Sequence, residues 1–165
     1  MVRQSRAGRY WATLALVNSA VYLEFAWEAA SANGGLFSTP AYFNGVLYFG
    51  ATGDALRAFS VTNAKLVTPA SSQSTDGYGY PGATPSISAN GTSNAIVWAV
   101  QNNGGNGVLH AYDAANLGHE LYNSNQAANG RDNFTDNKFI TPMIANGKVY
   151  VATPTGIAVF GLLAQ

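Results

Sequence analysis

Apolar residues along this chain come in short runs separated by Asn-Gly and Gly-rich turns, and one arrangement of them returns four times. Each copy opens on a Thr-Pro step or a degenerate form of it, crosses a short apolar run to an Asn-Gly type turn, and enters a second run holding a large aromatic. The copies are Thr13-Leu14…Asn18-Ser19…Tyr22, Thr39-Pro40…Asn44-Gly45…Tyr48, Thr84-Pro85…Asn90-Gly91…Trp98 and Thr141-Pro142…Asn146-Gly147…Tyr150. In the first, second and fourth copies four residues lead from the opening step to the Asn and four more to the aromatic. The third takes five and eight, because Thr92-Ser93-Asn94-Ala95 enlarges its turn. Asn-Gly between two apolar runs predicts a β-hairpin, since a two-residue type I′ turn needs φ > 0 at both central positions and these residues tolerate it.

Three copies run on into a third strand: Leu56-Arg57-Ala58-Phe59, Val108-Leu109-His110-Ala111-Tyr112-Asp113 and Ile157-Ala158-Val159-Phe160. Two continue to Lys65-Leu66-Val67 and Glu120-Leu121-Tyr122, short segments expected to serve as a fourth, outer strand. Four antiparallel strands per repeat is the unit of a β-propeller blade. The strand cores Val46-Leu47-Tyr48-Phe49 and Ile96-Val97-Trp98-Ala99-Val100 are apolar at consecutive positions, which predicts sheets covered on both faces.

Composition supports an all-β chain: 10% of residues are charged, 47% are apolar and 18 are Gly, so turns have ample material and long solvated helices have little. Residues 1–32 admit two readings. They are degenerate repeat strands, because Asn18 and Tyr22 keep the register, or a secretory signal, because Arg3, Arg6 and Arg9 precede an apolar run and Ala30-Ser31-Ala32 resembles a cleavage site. A membrane span is not expected, since the run falls short of about 20 clean apolar residues. A formal net charge of zero offers no electrostatic footprint for nucleic acid. The absence of cysteine excludes disulfides, thiolate catalysis and Cys-based metal sites.

Several local patterns resemble chemistry. Gly77-Tyr78-Gly79-Tyr80-Pro81-Gly82 satisfies G-x-G-x-x-G, yet a strand and not a helix follows, so it reads as a loop between units. Tyr78 and Tyr80 in that loop are ligand candidates, as rigid aromatics stack on sugars or quinones. His119-Glu120-Leu121-Tyr122-Asn123 begins like a zincin helix but ends on Asn, and His110 reads as a half-buried strand residue with a backbone partner. With two His in the chain a multi-His metal site is not available. Asp132 and Asp136 bring oxygen ligands to Asp132-Asn133-Phe134-Thr135-Asp136-Asn137, which lacks the Gly and distal Glu of a calcium loop. Asp54 and Asp113 read as turn-bonding residues. No G-x-S-x-G elbow is present to support a Ser/His/Asp triad.

The repeats, above all Thr39-Pro40-Ala41-Tyr42-Phe43-Asn44-Gly45-Val46-Leu47-Tyr48 with Leu56-Arg57-Ala58-Phe59, and Thr141-Pro142-Met143-Ile144-Ala145-Asn146-Gly147-Lys148-Val149-Tyr150, resemble those of the pyrroloquinoline quinone (PQQ) type β-propellers, the quinoprotein alcohol dehydrogenase-like superfamily. The likeness spans about residues 36 to 163, and 13 to 25 in degenerate form. It implies an all-β partial β-propeller of about three four-stranded antiparallel blades, near 36–80, 81–135 and 136–163 within 33–165, plus an N-terminal remnant blade. It also implies an extracellular or periplasmic setting, and the count of about three and a half units reads as the C-terminal part of a larger propeller, or a reduced descendant, whose open blade edges favour self-association. Two functions are compatible with it. One is a noncatalytic structural or interaction module that presents its loops to a protein or carbohydrate; the other is a fragment of a PQQ- and calcium-dependent dehydrogenase. The Glu/Asn/Asp calcium set and Asp base of those enzymes do not map onto this chain residue by residue, so no catalytic residue, cofactor or metal ligand is expected.

Overall fold

The computed structural model describes residues 34–162; the first copy of the repeat and the proposed N-terminal strand or signal segment lie outside the described residues. The described residues are all-β, in three antiparallel sheets that follow one another in sequence. The first sheet holds β1 (Ala41–Phe43), β2 (Val46–Phe49), β3 (Asp54–Thr62) and β5 (Ser72–Tyr78), with β4 (Lys65–Leu66) paired only to the far end of β3. The second holds β6 (Ser86–Asn90), β7 (Ser93–Asn103), β8 (Asn106–Asp113) and β9 (Asn116–Asn123), with β10 (Phe134–Thr135) against the start of β8. The third holds β11 (Met143–Ala145), β12 (Lys148–Thr153) and β13 (Gly156–Phe160).

The hairpin signals act as their chemistry requires. Asn44 and Gly45 take φ of 44° and 82°, and Asn146 and Gly147 take 50° and 70°, the paired left-handed conformations of a type I′ turn. The enlarged third copy is resolved differently from expectation. Asn90 pairs directly with Ser93, and the extra residue enters β7 as a bulge at Asn94, itself left-handed at φ 52°. The bulge preserves the repeat. Tyr48, Trp98 and Tyr150 all stand opposite the residue that follows the Pro, namely Ala41, Ser86 and Met143.

Alternation along these strands then divides each sheet into two apolar faces, and the sheets stack through them. Tyr48, Leu56, Ala58 and Tyr78 of the first sheet meet Val97, Ala99, Tyr112 and Leu117 of the second. On the other side of the second sheet, Trp98, Val100 and Leu109 meet Val149, Val151, Ala158 and Phe160 of the third. Each fully buried large side chain in these seams contributes about 1.5–3 kcal/mol. The central sheet is thus covered on both faces, as its uninterrupted apolar runs predict.

The outer strands require one correction. Glu120-Leu121-Tyr122 lies in β9, the outer strand of the second sheet, as expected. Lys65–Leu66 does not complete the first sheet; that position belongs to Ser72–Tyr78, which pairs with β3. Its residues Ser-Gln-Ser-Thr-Asp-Gly-Tyr carry almost no apolar signal, and polar periodicity hid the strand.

Candidate functional site

Two places bring chemically distinctive side chains together. The first lies between the outer strands of the first and second sheets. Alternation along β5 puts Ser74, Asp76 and Tyr78 on the face toward the second sheet, with Ser74 and Tyr78 buried. Alternation along β8 aims His110 and Tyr112 back at them. In β9 a bulge at Leu121 sets Glu120 rather than its neighbour opposite Tyr112, so the carboxylate joins the same face. The result is a connected polar group. His110 Nδ1 lies 2.5 Å from Glu120 Oε1 and 3.9 Å from Asp76 Oδ2, while its Nε2 lies 3.4 Å from Gln101 Oε1. Tyr112 donates to Asp76 Oδ2 at 3.3 Å, its hydroxyl lies 3.1 Å from that of Tyr78, and Asn123 Nδ2 donates to Glu120 Oε2 at 2.7 Å. The imidazole is buried between two rings, stacked on Tyr112 at 5.6 Å and edge-on to Tyr78 at 6.0 Å. Burial, reinforced by nearby carboxylates, pushes the ionisation of Tyr78 and Tyr112 well above the ordinary tyrosine value.

The second place is an aromatic cluster built by the segments that lead into the three first strands. Tyr80 lies 5.3 Å from Phe37 and 5.7 Å from Phe139, both edge-to-face, with the Lys138 ammonium 5.2 Å from its ring centre. All three rings are about half exposed. Phe139 holds φ at 61°, a conformation costly for a bulky side chain. Beside this cluster the hydroxyls of Ser38 and Thr52 are buried without a hydrogen-bond partner among the described residues.

The residues singled out by sequence separate accordingly. Tyr80 is exposed in the aromatic cluster, whereas Tyr78 is a strand residue with its ring buried, so it cannot stack on a ligand from a loop. Asp132 and Asp136 do not converge on a common site. Asp132 accepts from Tyr122 Oη at 2.5 Å and from Arg131, whose guanidinium first and the tyrosine next hold its carboxyl below the ordinary value. Asp136 caps the β7–β8 turn by accepting from the backbone N–H of Asn103 and Gly105. His110 finds side-chain partners in place of the expected backbone one. Asp113 does bond its own turn, accepting from Ala115 N at 2.9 Å, and Asp54 holds Ala55 N and Arg57.

Sequence reasoning missed Asp76, Phe37 and Phe139. Phe37 and Phe139 each stand two residues ahead of a Thr-Pro step, a recurrence that was available to find them. A shallow cleft of about 560 Å³ also opens between the β1–β2, β6–β7 and β8–β9 turns, but Asp113 and Tyr48 are the ionisable groups lining it and they do not form a reactive pair. Comparison with protein families, with curated proteins and with solved structures returns no match.

Proposed function

We propose that this chain is a noncatalytic repeat module of the PQQ-like β-propeller kind, whose role is to assemble with another protein surface, in the first instance a second copy of itself. One observation carries the reading. Tyr48 and Trp98 mark the faces through which the first and second sheets bury against the next sheet. Tyr150 marks the same face of the third sheet, where Met143, Ile157 and Val159 stand exposed at 58%, 67% and 53%. A face built to the same plan as two buried ones, yet apolar and open among the described residues, is a docking surface for a further sheet. Among the described residues the outer edge of β13 is unpaired, which adds a row of strand hydrogen-bonding groups beside it. The exposed cluster of Phe37, Tyr80 and Phe139 adds a second contact surface at the loop end.

Sedimentation velocity over a concentration series tests this directly. The full chain is expected to associate reversibly, and Val159→Lys or Ile157→Lys to leave it monomeric with an unchanged circular dichroism spectrum. A wild-type chain that stays monomeric at every soluble concentration would sink the reading. The dehydrogenase alternative makes a separate demand: PQQ with Ca²⁺ must raise the melting temperature and produce a bound quinone absorbance. The module reading expects neither.

A further inference from the structure

We propose that Asp76 Oδ2, His110 Nδ1 and Glu120 Oε1 form a binding site for one divalent transition-metal ion, with zinc the best match, that ties the first sheet to the second. The three atoms lie within 4.8 Å of one another and come from three strands of two sheets. A tetrahedral zinc with ligands at about 2.0–2.2 Å sets neighbouring donor atoms roughly 3.4 Å apart. The two separations from the imidazole nitrogen, 2.5 Å and 3.9 Å, fall on either side of that value, so movements below about 1 Å admit the ion. One imidazole and two carboxylates form a mixed N/O donor set suited to zinc, and less suited to calcium, which prefers oxygen throughout.

Three further observations distinguish this group from an ordinary buried hydrogen bond. Two of the donors have their second atom or ring position held from outside the triad, His110 Nε2 by the side-chain oxygen of Gln101 and Glu120 Oε2 by Asn123, while Tyr112 donates to the Asp76 ligand oxygen Oδ2 itself. Such outer partners orient metal ligands and fix the imidazole tautomer. The group is reached through its carboxylates, since the His110 side chain is 4% exposed while those of Asp76 and Glu120 are 37% and 22% exposed. Finally, the repeat itself does not need these polar residues. In the third sheet Ala158 and Phe160 stand where His110 and Tyr112 stand in the second, and they pack on the neighbouring sheet with no polar atoms. Two carboxyl groups converge on one buried imidazole, a donor set whose chemistry suits a divalent cation.

The test uses the full chain stripped of metal and titrated with Zn²⁺ in a calorimeter, with Co²⁺ as a spectroscopic probe. Expected are one ion per chain, a rise in melting temperature on adding Zn²⁺, and visible cobalt absorption of tetrahedral intensity. Asp76→Asn and Glu120→Gln should each weaken zinc binding by about tenfold or more. His119→Gln should leave it unchanged, because His119 is exposed beside Asp113 and outside the triad. If His110→Gln fails to fold, the partly exposed Asp76→Asn still decides the matter. Failure of Zn²⁺ to bind, binding that survives both carboxylate substitutions, or binding lost with His119 would overturn the proposal. None of these results bears on self-association, which is read by sedimentation.

Discussion

The two seams between sheets are built on one plan and filled with different chemistry. In the first, β8 presents His110 and Tyr112 to Asp76 and Tyr78 of the neighbouring sheet; in the second, β13 presents Ala158 and Phe160 to an apolar surface around Val100 and Leu109. Register is the same in both, since Trp98 stands opposite Ala111 and Tyr150 opposite Val159. The architecture therefore tolerates an apolar pair at these positions. Polarity in the first seam is a local addition, and a buried polar group must be fully bonded to be neutral in energy. Its near-complete hydrogen bonding is what permits it, and its dispensability to the repeat is what points to a separate use.

The largest effect is expected where the second seam is emptied. Leu109→Ala, at a fully buried position, should lower stability by about 3 kcal/mol, read as an earlier urea midpoint with little change in slope. An unchanged midpoint would mean that the third sheet does not depend on this packing. Next comes the polar seam. His110→Ala should cost about 2 kcal/mol in metal-free protein, because Glu120 Oε1 and Gln101 Oε1 lose their imidazole partner in a part-buried seam. Adding Glu120→Leu should recover part of that loss, moving the first seam toward the composition of the second. A double variant less stable than the sum of its parts would instead make the polar pair architectural.

The smallest expected effect comes from the tyrosine hydroxyls. Tyr112→Phe removes one group from the hydrogen-bonded chain between Tyr78 and Asp76 and should cost about 1 kcal/mol near neutral pH. Its signature lies in the pH dependence. Burial raises the folded-state values of Tyr78 and Tyr112 above the unfolded value of 10.0, so above that pH the unfolded chain releases protons first. Stability from this source is complete below about pH 10 and falls as pH climbs toward the folded values. Urea midpoints should therefore decline from about pH 10 upward in the wild type, and less steeply in Tyr112→Phe. Equal slopes would place the alkaline loss elsewhere.

Legibility in the sequence followed the strength of local physics. Asn44-Gly45 and Asn146-Gly147 declared their hairpins because left-handed backbone is expensive for other residues. Apolar runs declared a central sheet covered on both faces. The strand Ser72–Tyr78 escaped notice because its pairing comes from β3 and its side chains bond polar partners, and neither leaves a hydrophobic period. Tyr78 was misplaced for the same reason. The aromatic cluster was half legible: Tyr80 stood out beside Pro81, whereas Phe37 and Phe139 become its neighbours only once three separate lead-in segments meet.

What the sequence determined by itself is the repeat: where strands begin, which turns reverse them, and which aromatic stands opposite which residue. Those are short-range matters, governed by backbone conformation and alternation within a few residues. Tertiary structure alone decided which polar residues meet. Asp76 lies 34 residues before His110, and Glu120 reaches them only because one extra residue in β9 rotates its side chain onto the shared face. Sheet stacking and a bulge are cooperative, long-range outcomes, and no spacing along the chain announces them.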